Sequence, residues 1–204
     1  MDLFQELAQL GITDQRVLDA MRRVPREQFV PPFLRDRAYE NRPLPIGNEQ
    51  TISQPLVVAE MIQHAVPSTD GRVLDVGTGS GYQAAILAEL YERVYTVEIV
   101  EPLQRGAQKV LGQLGYTNIE YRLGDGSQGW PEHAPYDAIV VAAAPRAIPP
   151  AFIEQLAPGG RLVIPVGTAR KQHLTVVEKL QDGSLREMRV APVSFVPLVD
   201  GDPG

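Results

Sequence analysis

The sequence predicts an α/β fold: a doubly wound, mostly parallel sheet with an N-terminal helical extension and a C-terminal antiparallel hairpin. Three observations carry this. Arg72–Leu90 reads as a buried strand (Val73, Leu74, Val76), a glycine turn (Gly77, Gly79, Gly81) and a helix in which Ala85, Ile86, Ala88 and Leu90 recur at helical spacing. Apolar runs then alternate with helical segments as far as Val166, the pattern of βαβ units. Beyond that, Leu174–Val177 and Leu185–Val190 flank Asp182-Gly183, a hairpin signal.

In chain order, residues 2–10 and 14–24 are amphipathic helices, with Leu3, Phe4, Leu7 and Leu10 on one face and Val17, Leu18, Met21 and Val24 on the other. Thr13 is the expected N-cap of the second, and Pro25, Pro31 and Pro32 end the helical pattern. Residues 38–53 form a polar, proline-punctuated loop. A helix follows, with Ser53 as N-cap, Pro55 in its first turn and an apolar face of Val57, Val58, Met61 and Ile62. Capping alone accounts for Ser53. A hydroxyl at a helix start also suits an anion.

The glycine turn points to a ligand, since glycines let the backbone come close to one. Its spacing excludes the dinucleotide fingerprint G-x-G-x-x-G, because the sixth position, counting Gly77 as the first, is Tyr82. What stands is D-x-G-x-G-x-G, with Asp75 on the strand and Thr78 and Ser80 between the glycines. Residues 93–97 form the next strand and lead to Glu98, a carboxylate about twenty residues past the glycines, placed to accept from ribose hydroxyls. A helix over 101–114 and a strand over 118–123 precede Gly124-Asp125-Gly126, where Asp125 ends the strand on the same sheet edge, within reach of an adenine amino group. Residues 136–141 form a fourth strand, 150–156 a helix stopped by Pro158-Gly159-Gly160, and 161–166 a fifth strand. Phe195–Leu198 is a last short strand before a loose tail.

At 204 residues the chain fits one domain: an extension over 1–45, a ligand-binding core over 46–170, and a hairpin and tail over 171–204. A net charge of −6 with no basic run argues against nucleic acid, and no apolar run approaches a membrane span. The chain has no cysteine, so disulfide and thiol chemistry are excluded. The acidic N-terminus has no secretory-leader pattern, and a cytoplasmic location is expected. His64, His133 and His173 lie in different elements, so no metal site is expected.

The D-x-G-x-G-x-G motif resembles the first motif of class I methyltransferases that use S-adenosyl-L-methionine, whose ammonium group an acid such as Asp75 would favour. Together with Pro45-Ile46-Gly47, the Gln50-Thr51-Ile52-Ser53-Gln54-Pro55 stretch, Tyr136–Ile139, Pro158–Leu162 and Phe195–Leu198, it resembles the protein-L-isoaspartate O-methyltransferase family over nearly the whole chain. The Gln-Thr-Ile-Ser stretch is the specific part. The resemblance implies a Rossmann-like, seven-stranded methyltransferase sheet whose last two strands exchange places relative to other class I enzymes. It implies methyl transfer to the free carboxylate of isoaspartyl residues in proteins and peptides, with S-adenosyl-L-homocysteine as co-product; a monomer is expected. Cofactor contacts are implied for Gln50, Thr51, Ile52, Ser53, Asp75, Gly77, Thr78, Gly79, Ser80, Gly81, Glu98, Asp125 and Gly126. Ser53, as the catalytic residue, and the backbone of Val196 are implied to hold the acceptor. One departure stands out: Gly47-Asn48-Glu49-Gln50 replaces the usual Gly-x-Gly-Gln of bacterial members. A stiffer loop with a negative charge near an anion site is the expected result.

A methyltransferase for a small molecule or RNA shares the cofactor residues but leaves the Gln-Thr-Ile-Ser stretch unexplained, and a noncatalytic binding module would keep the pocket without turnover. Asp70, Asp125, Asp182 and Asp200 each precede glycine, the pairing most open to succinimide formation, and Asp200 in the tail is the expected site of self-methylation.

Overall fold

The computed structural model describes residues 2–66, 71–199 and 201. Its centre is a seven-stranded sheet made of β3 (Arg72–Val76), β4 (Arg93–Glu98), β5 (Ile119–Leu123), β6 (Tyr136–Val141), β7 (Leu156–Thr168), β8 (Lys171–Lys179) and β9 (Leu185–Val193), in the order β5-β4-β3-β6-β7-β8-β9. Pairing is parallel from β5 to β7 and antiparallel across β7-β8-β9. The last two strands thus follow β7 in chain order across the sheet.

Both faces of the sheet are buried, which is why its central strands read as unbroken apolar runs. Along β3, Val73 faces one core and Leu74 and Val76 the other; along β6, Ala138 and Val140 alternate with Ile139 and Val141 in the same way. The first core is covered by α1 (Leu3–Gln9), α2 (Gln15–Arg23), α3 (Pro55–Ala65), α4 (Tyr82–Ala88) and α5 (Glu101–Gln113). The second is covered by Phe152 and Ile153 of α6 (Pro150–Gln155), with Trp130 and Ala134 from the preceding loop.

Four local expectations are corrected. Asp14, not Thr13, caps α2, accepting from the Arg16 N–H at 3.0 Å. Gln54, not Ser53, is the N-cap of α3, and no side-chain hydrogen bond caps it. Pro158-Gly159-Gly160 does not stop a helix: α6 ends at Gln155, and the three residues lie inside β7, where the register against β6 shifts between Tyr136 and Ala138. Residues 195–198 are not a strand. They make one parallel bridge, Ala144 to Pro197, because proline has no N–H to continue a ladder.

The sequence also gave no warning of the short hairpin β1 (Leu44–Gly47) and β2 (Gln50–Ile52), placed within the expected loop. Of the Asp-Gly pairs, Asp125 and Asp182 begin turns in which their side chains accept from Ser127 and Ser184 N–H groups; Asp70 and Asp200 lie outside the described residues.

Candidate active site

A cavity of about 780 Å³ opens at the carboxyl ends of β3, β4 and β6, the edge where doubly wound sheets bind ligands. That volume lies within the ~300–1,000 Å³ of ligand-binding clefts. Gln50, Thr51, Ile52 and Ser53 line one side, Gly77, Thr78, Gly79, Ser80, Glu98 and Gly126 another, and the 192–199 segment closes over them. Among the described residues no helix is long and apolar enough to cross a membrane, and no cluster of acidic and histidine side chains is set to hold a metal.

The glycine turn is tied to β4 through Glu98. One carboxylate oxygen accepts from Gly79 N–H at 2.8 Å, and the other from the N–H groups of Ile99 and Val100, both at 2.9 Å. A carboxylate has about four acceptor directions and three are taken, so Glu98 keeps one, on the oxygen that accepts from Gly79, for a hydroxyl entering from the cavity. Ile99, Val100 and Leu103 give the adjoining wall an apolar surface suited to a flat ring.

Three expected contact residues do not line the cavity. Asp75 is fully buried beneath it, accepting from Gln83 Nε2 at 2.8 Å and Thr96 Oγ1 at 2.7 Å. Thr96 spends its only proton on Asp75, so the 2.6 Å contact between Thr78 and Thr96 has Thr78 as donor. Asp75 therefore orients Thr78 from below. Burial pushes its carboxyl up to about 6; the bonds from Gln83 and Thr96 oppose this, and the nearby Glu98 charge adds to it. Gly81 serves packing: it precedes α4 at φ +89°, and a Cβ there would sit 3.1 Å from both Ala107 and Leu111 of α5. Asp125 is engaged on both oxygens, by Ser127 N–H at 2.8 Å and Gly201 N–H at 3.2 Å.

The opposite wall of the cavity is assembled from distant parts of the chain. Ser53 lines the cavity just before α3, free of the capping task expected of it. Val196 lies in the closing segment, where its carbonyl accepts from Ala144 N–H at 2.8 Å and Leu198 N–H returns to the Ala144 carbonyl at 3.0 Å. The Val196 N–H donates to none of the described residues. Buried Gln172 of β8 fixes the same segment, accepting from Phe195 N–H at 2.7 Å and donating to its carbonyl at 3.0 Å. These two bonds imitate a strand pairing that the segment itself lacks.

The β1-β2 turn places two non-glycine residues in left-handed conformations. Gly47 pairs with Gln50, which leaves Asn48 and Glu49 as the central residues, at φ 50° and 58°. Asn-Gly is the favoured pair for such a turn. Glu49 is exposed and outside the cavity lining, so its charge does not face the site.

Several lining residues were not singled out from the sequence. Ala142 and Ala143 follow the carboxyl end of β6, and the strand-end rule alone would have found them. Tyr82 and Gln83 begin α4 directly after the glycine turn. Nothing in the local sequence marks Gln172.

The family model for protein-L-isoaspartate(D-aspartate) O-methyltransferase matches residues 1–203. The chain is 56% identical over 186 residues to protein-L-isoaspartate O-methyltransferase 2 of Polaromonas sp., covering 91% of this chain and 88% of that one. It is 51% identical over 199 residues to the protein-L-isoaspartate O-methyltransferase of Gloeobacter violaceus, covering 98% and 97%. Among solved structures, one from Plasmodium falciparum, described as a putative protein-L-isoaspartate O-methyltransferase in complex with S-adenosyl-L-homocysteine, aligns with a TM-score of 0.85 at 25% identity, covering 98% of this chain and 97% of that one.

Proposed function

The chain belongs to the protein-L-isoaspartate(D-aspartate) O-methyltransferase family, and from that premise we propose that Ser53 and the Val196 N–H hold the acceptor carboxylate at the mouth of the glycine turn. The reaction itself is methyl transfer from S-adenosyl-L-methionine to the free carboxylate of L-isoaspartyl residues in proteins and peptides. The neighbouring amide nitrogen then attacks the ester, methanol leaves, and the succinimide formed opens partly to normal aspartate.

The cavity's size, its Glu98 carboxylate and its apolar flank fit a nucleoside carrying an amino-acid tail. Bound there, S-adenosyl-L-methionine supplies an electrophilic methyl group on a sulfonium. In this proposal Glu98 accepts from its ribose, and Gly77–Ser80 and Gly126 lie against it, together with Gln50, Thr51 and Ile52. Asp75 acts through Thr78.

The acceptor carboxylate has an ordinary pKa of about 4 and is already ionised at neutral pH, so the chain supplies no general base. Its task is to align one carboxylate oxygen with the methyl and keep water out. Alignment of this kind is worth up to roughly 7–11 kcal/mol. The opposite charges of acceptor and sulfonium fade as the methyl moves, so Ser53 works by placing the carboxylate, with no role as a nucleophile.

The observation that supports this most is a Ser53 hydroxyl and a Val196 N–H, neither hydrogen-bonded among the described residues, on the same cavity. Ser53→Ala tests it. Turnover on an isoaspartyl peptide is expected to fall on the order of 100-fold, the usual cost of removing one positioned donor, with S-adenosyl-L-homocysteine affinity nearly unchanged. Turnover at the wild-type level removes Ser53 from the mechanism. The same reading takes the enzyme as a cytoplasmic monomer acting on proteins, with the net charge of −6 disfavouring nucleic acid.

A further inference from the structure

Behind the acceptor wall lies a charge that the account above does not use. Arg26, in the 3-10 turn Arg26–Phe29, is fully buried and is the one basic side chain so buried among the described residues. Its Nε donates to the Ala38 carbonyl at 2.7 Å and its Nη2 to the Ser53 carbonyl at 2.8 Å. The guanidinium carbon lies 4.6 Å from the centroid of the Tyr82 ring. Ser53 and Tyr82 both line the cavity, so Arg26 stands directly behind the wall they form. No carboxylate pairs with it among the described residues, and its Nη1 is buried with no hydrogen-bonding partner.

A buried cation with neither a counter-ion nor a full set of acceptors is costly, and such groups persist where they serve a site. A purely structural strut between Ala38 and Ser53 would need donors but no charge. We propose that Arg26 is a positioning residue for methyl transfer. It fixes the main chain of Ser53, and its unpaired charge makes the adjoining pocket select a carboxylate anion over a neutral group of the same shape. The inference rests on Ser53 as the anchor of the acceptor.

The two contributions separate kinetically. The charge favours the bound carboxylate, and this attraction fades as the carboxylate becomes a neutral ester, so losing the charge raises KM for the peptide. Losing the anchor on the Ser53 carbonyl disorders the hydroxyl that aligns the acceptor and lowers kcat. Arginine makes its contacts through a rigid planar fork, whereas lysine keeps the charge and loses the fork.

The test uses enzyme saturated with S-adenosyl-L-homocysteine. Calorimetry compares an isoaspartyl peptide with its isoasparaginyl counterpart, in which a neutral amide replaces the carboxylate. Wild type is expected to prefer the carboxylate at least tenfold, and Arg26→Gln to lose most of that preference while KM for S-adenosyl-L-methionine stays within twofold. Arg26→Lys is expected to keep most of the preference and to lose kcat. Retention of the full wild-type preference in Arg26→Gln overturns the proposal, as do identical defects in both variants. A reading on the unaltered protein does not depend on how the variants fold: the guanidinium N–H signals of Arg26, followed by NMR, should move on addition of the isoaspartyl peptide and not the isoasparaginyl one. Equal responses to both peptides overturn it. Ser53→Ala measured alongside separates the failures. Unchanged turnover there removes the anchor itself; lost turnover there with unchanged selectivity in Arg26→Gln removes only the role of Arg26.

Discussion

On the cofactor side of the cavity the contacts are local: Gly79 meets Glu98 across one βαβ unit, and Thr78, Thr96, Asp75 and Gln83 form a buried network within the same unit. On the opposite wall, Ser53 is held from behind by Arg26, and the Val196 segment by Gln172 of β8 and by Ala144. The first wall is part of the sheet and inherits its rigidity. The second is irregular backbone fixed by a few long-range bonds. In the proposed reading, a cofactor common to many enzymes rests on a general architecture, whereas the acceptor rests on segments from both ends of the chain.

Asp75 offers the largest way to probe the first wall. Its folded-state pKa of about 6 lies above the unfolded value of 3.8. Between those values the folded protein retains a proton that the unfolded chain has released, so stability contributed by this group falls as pH rises from about 4 to about 6. At about 1.4 kcal/mol per pH unit the loss is on the order of 3 kcal/mol. Asp75→Asn cannot titrate, so its stability relative to wild type should climb by that amount over the same window in urea unfolding. Stability curves for the two proteins that run parallel from pH 4 to pH 7 would show that Asp75 is not the buried acid described.

Much of this first wall was legible in advance, because strand, glycine turn, helix and the acid after the next strand are all local patterns. Asp75, Gly81 and Asp125 lie outside the cavity lining for one shared reason. Sequence spacing places a residue at the sheet edge but does not say whether its side chain enters the cavity, lies beneath it or closes a turn beside it. On the second wall, Ser53 stood out as a hydroxyl at a helix start and by resemblance, and Val196 by resemblance alone. Gln172 and Arg26 had no local signal, since a lone glutamine in a strand and an arginine between prolines look like surface residues until distant segments fold over them.

A smaller effect sharpens the comparison from the acceptor side. Glu49 holds a left-handed conformation that costs a non-glycine residue roughly 1–2 kcal/mol. Glu49→Gly should therefore stabilise the protein by about 1 kcal/mol, read as a higher urea midpoint at unchanged slope. Because Glu49 lies outside the cavity lining, KM for an isoaspartyl peptide should stay within twofold. A large change in KM would mean that the hairpin tip touches the peptide.

The claim on which the rest turns is that an ionised acceptor is placed, without any proton transfer, between the start of α3 and the closing segment. A structure with S-adenosyl-L-homocysteine and an isoaspartyl peptide bound together tests it most directly. The account predicts the side-chain carboxylate within about 3 Å of both Ser53 Oγ and the Val196 N–H, with one oxygen facing the sulfur. A carboxylate seated away from both, or held against a histidine or lysine able to act as a base, would contradict it.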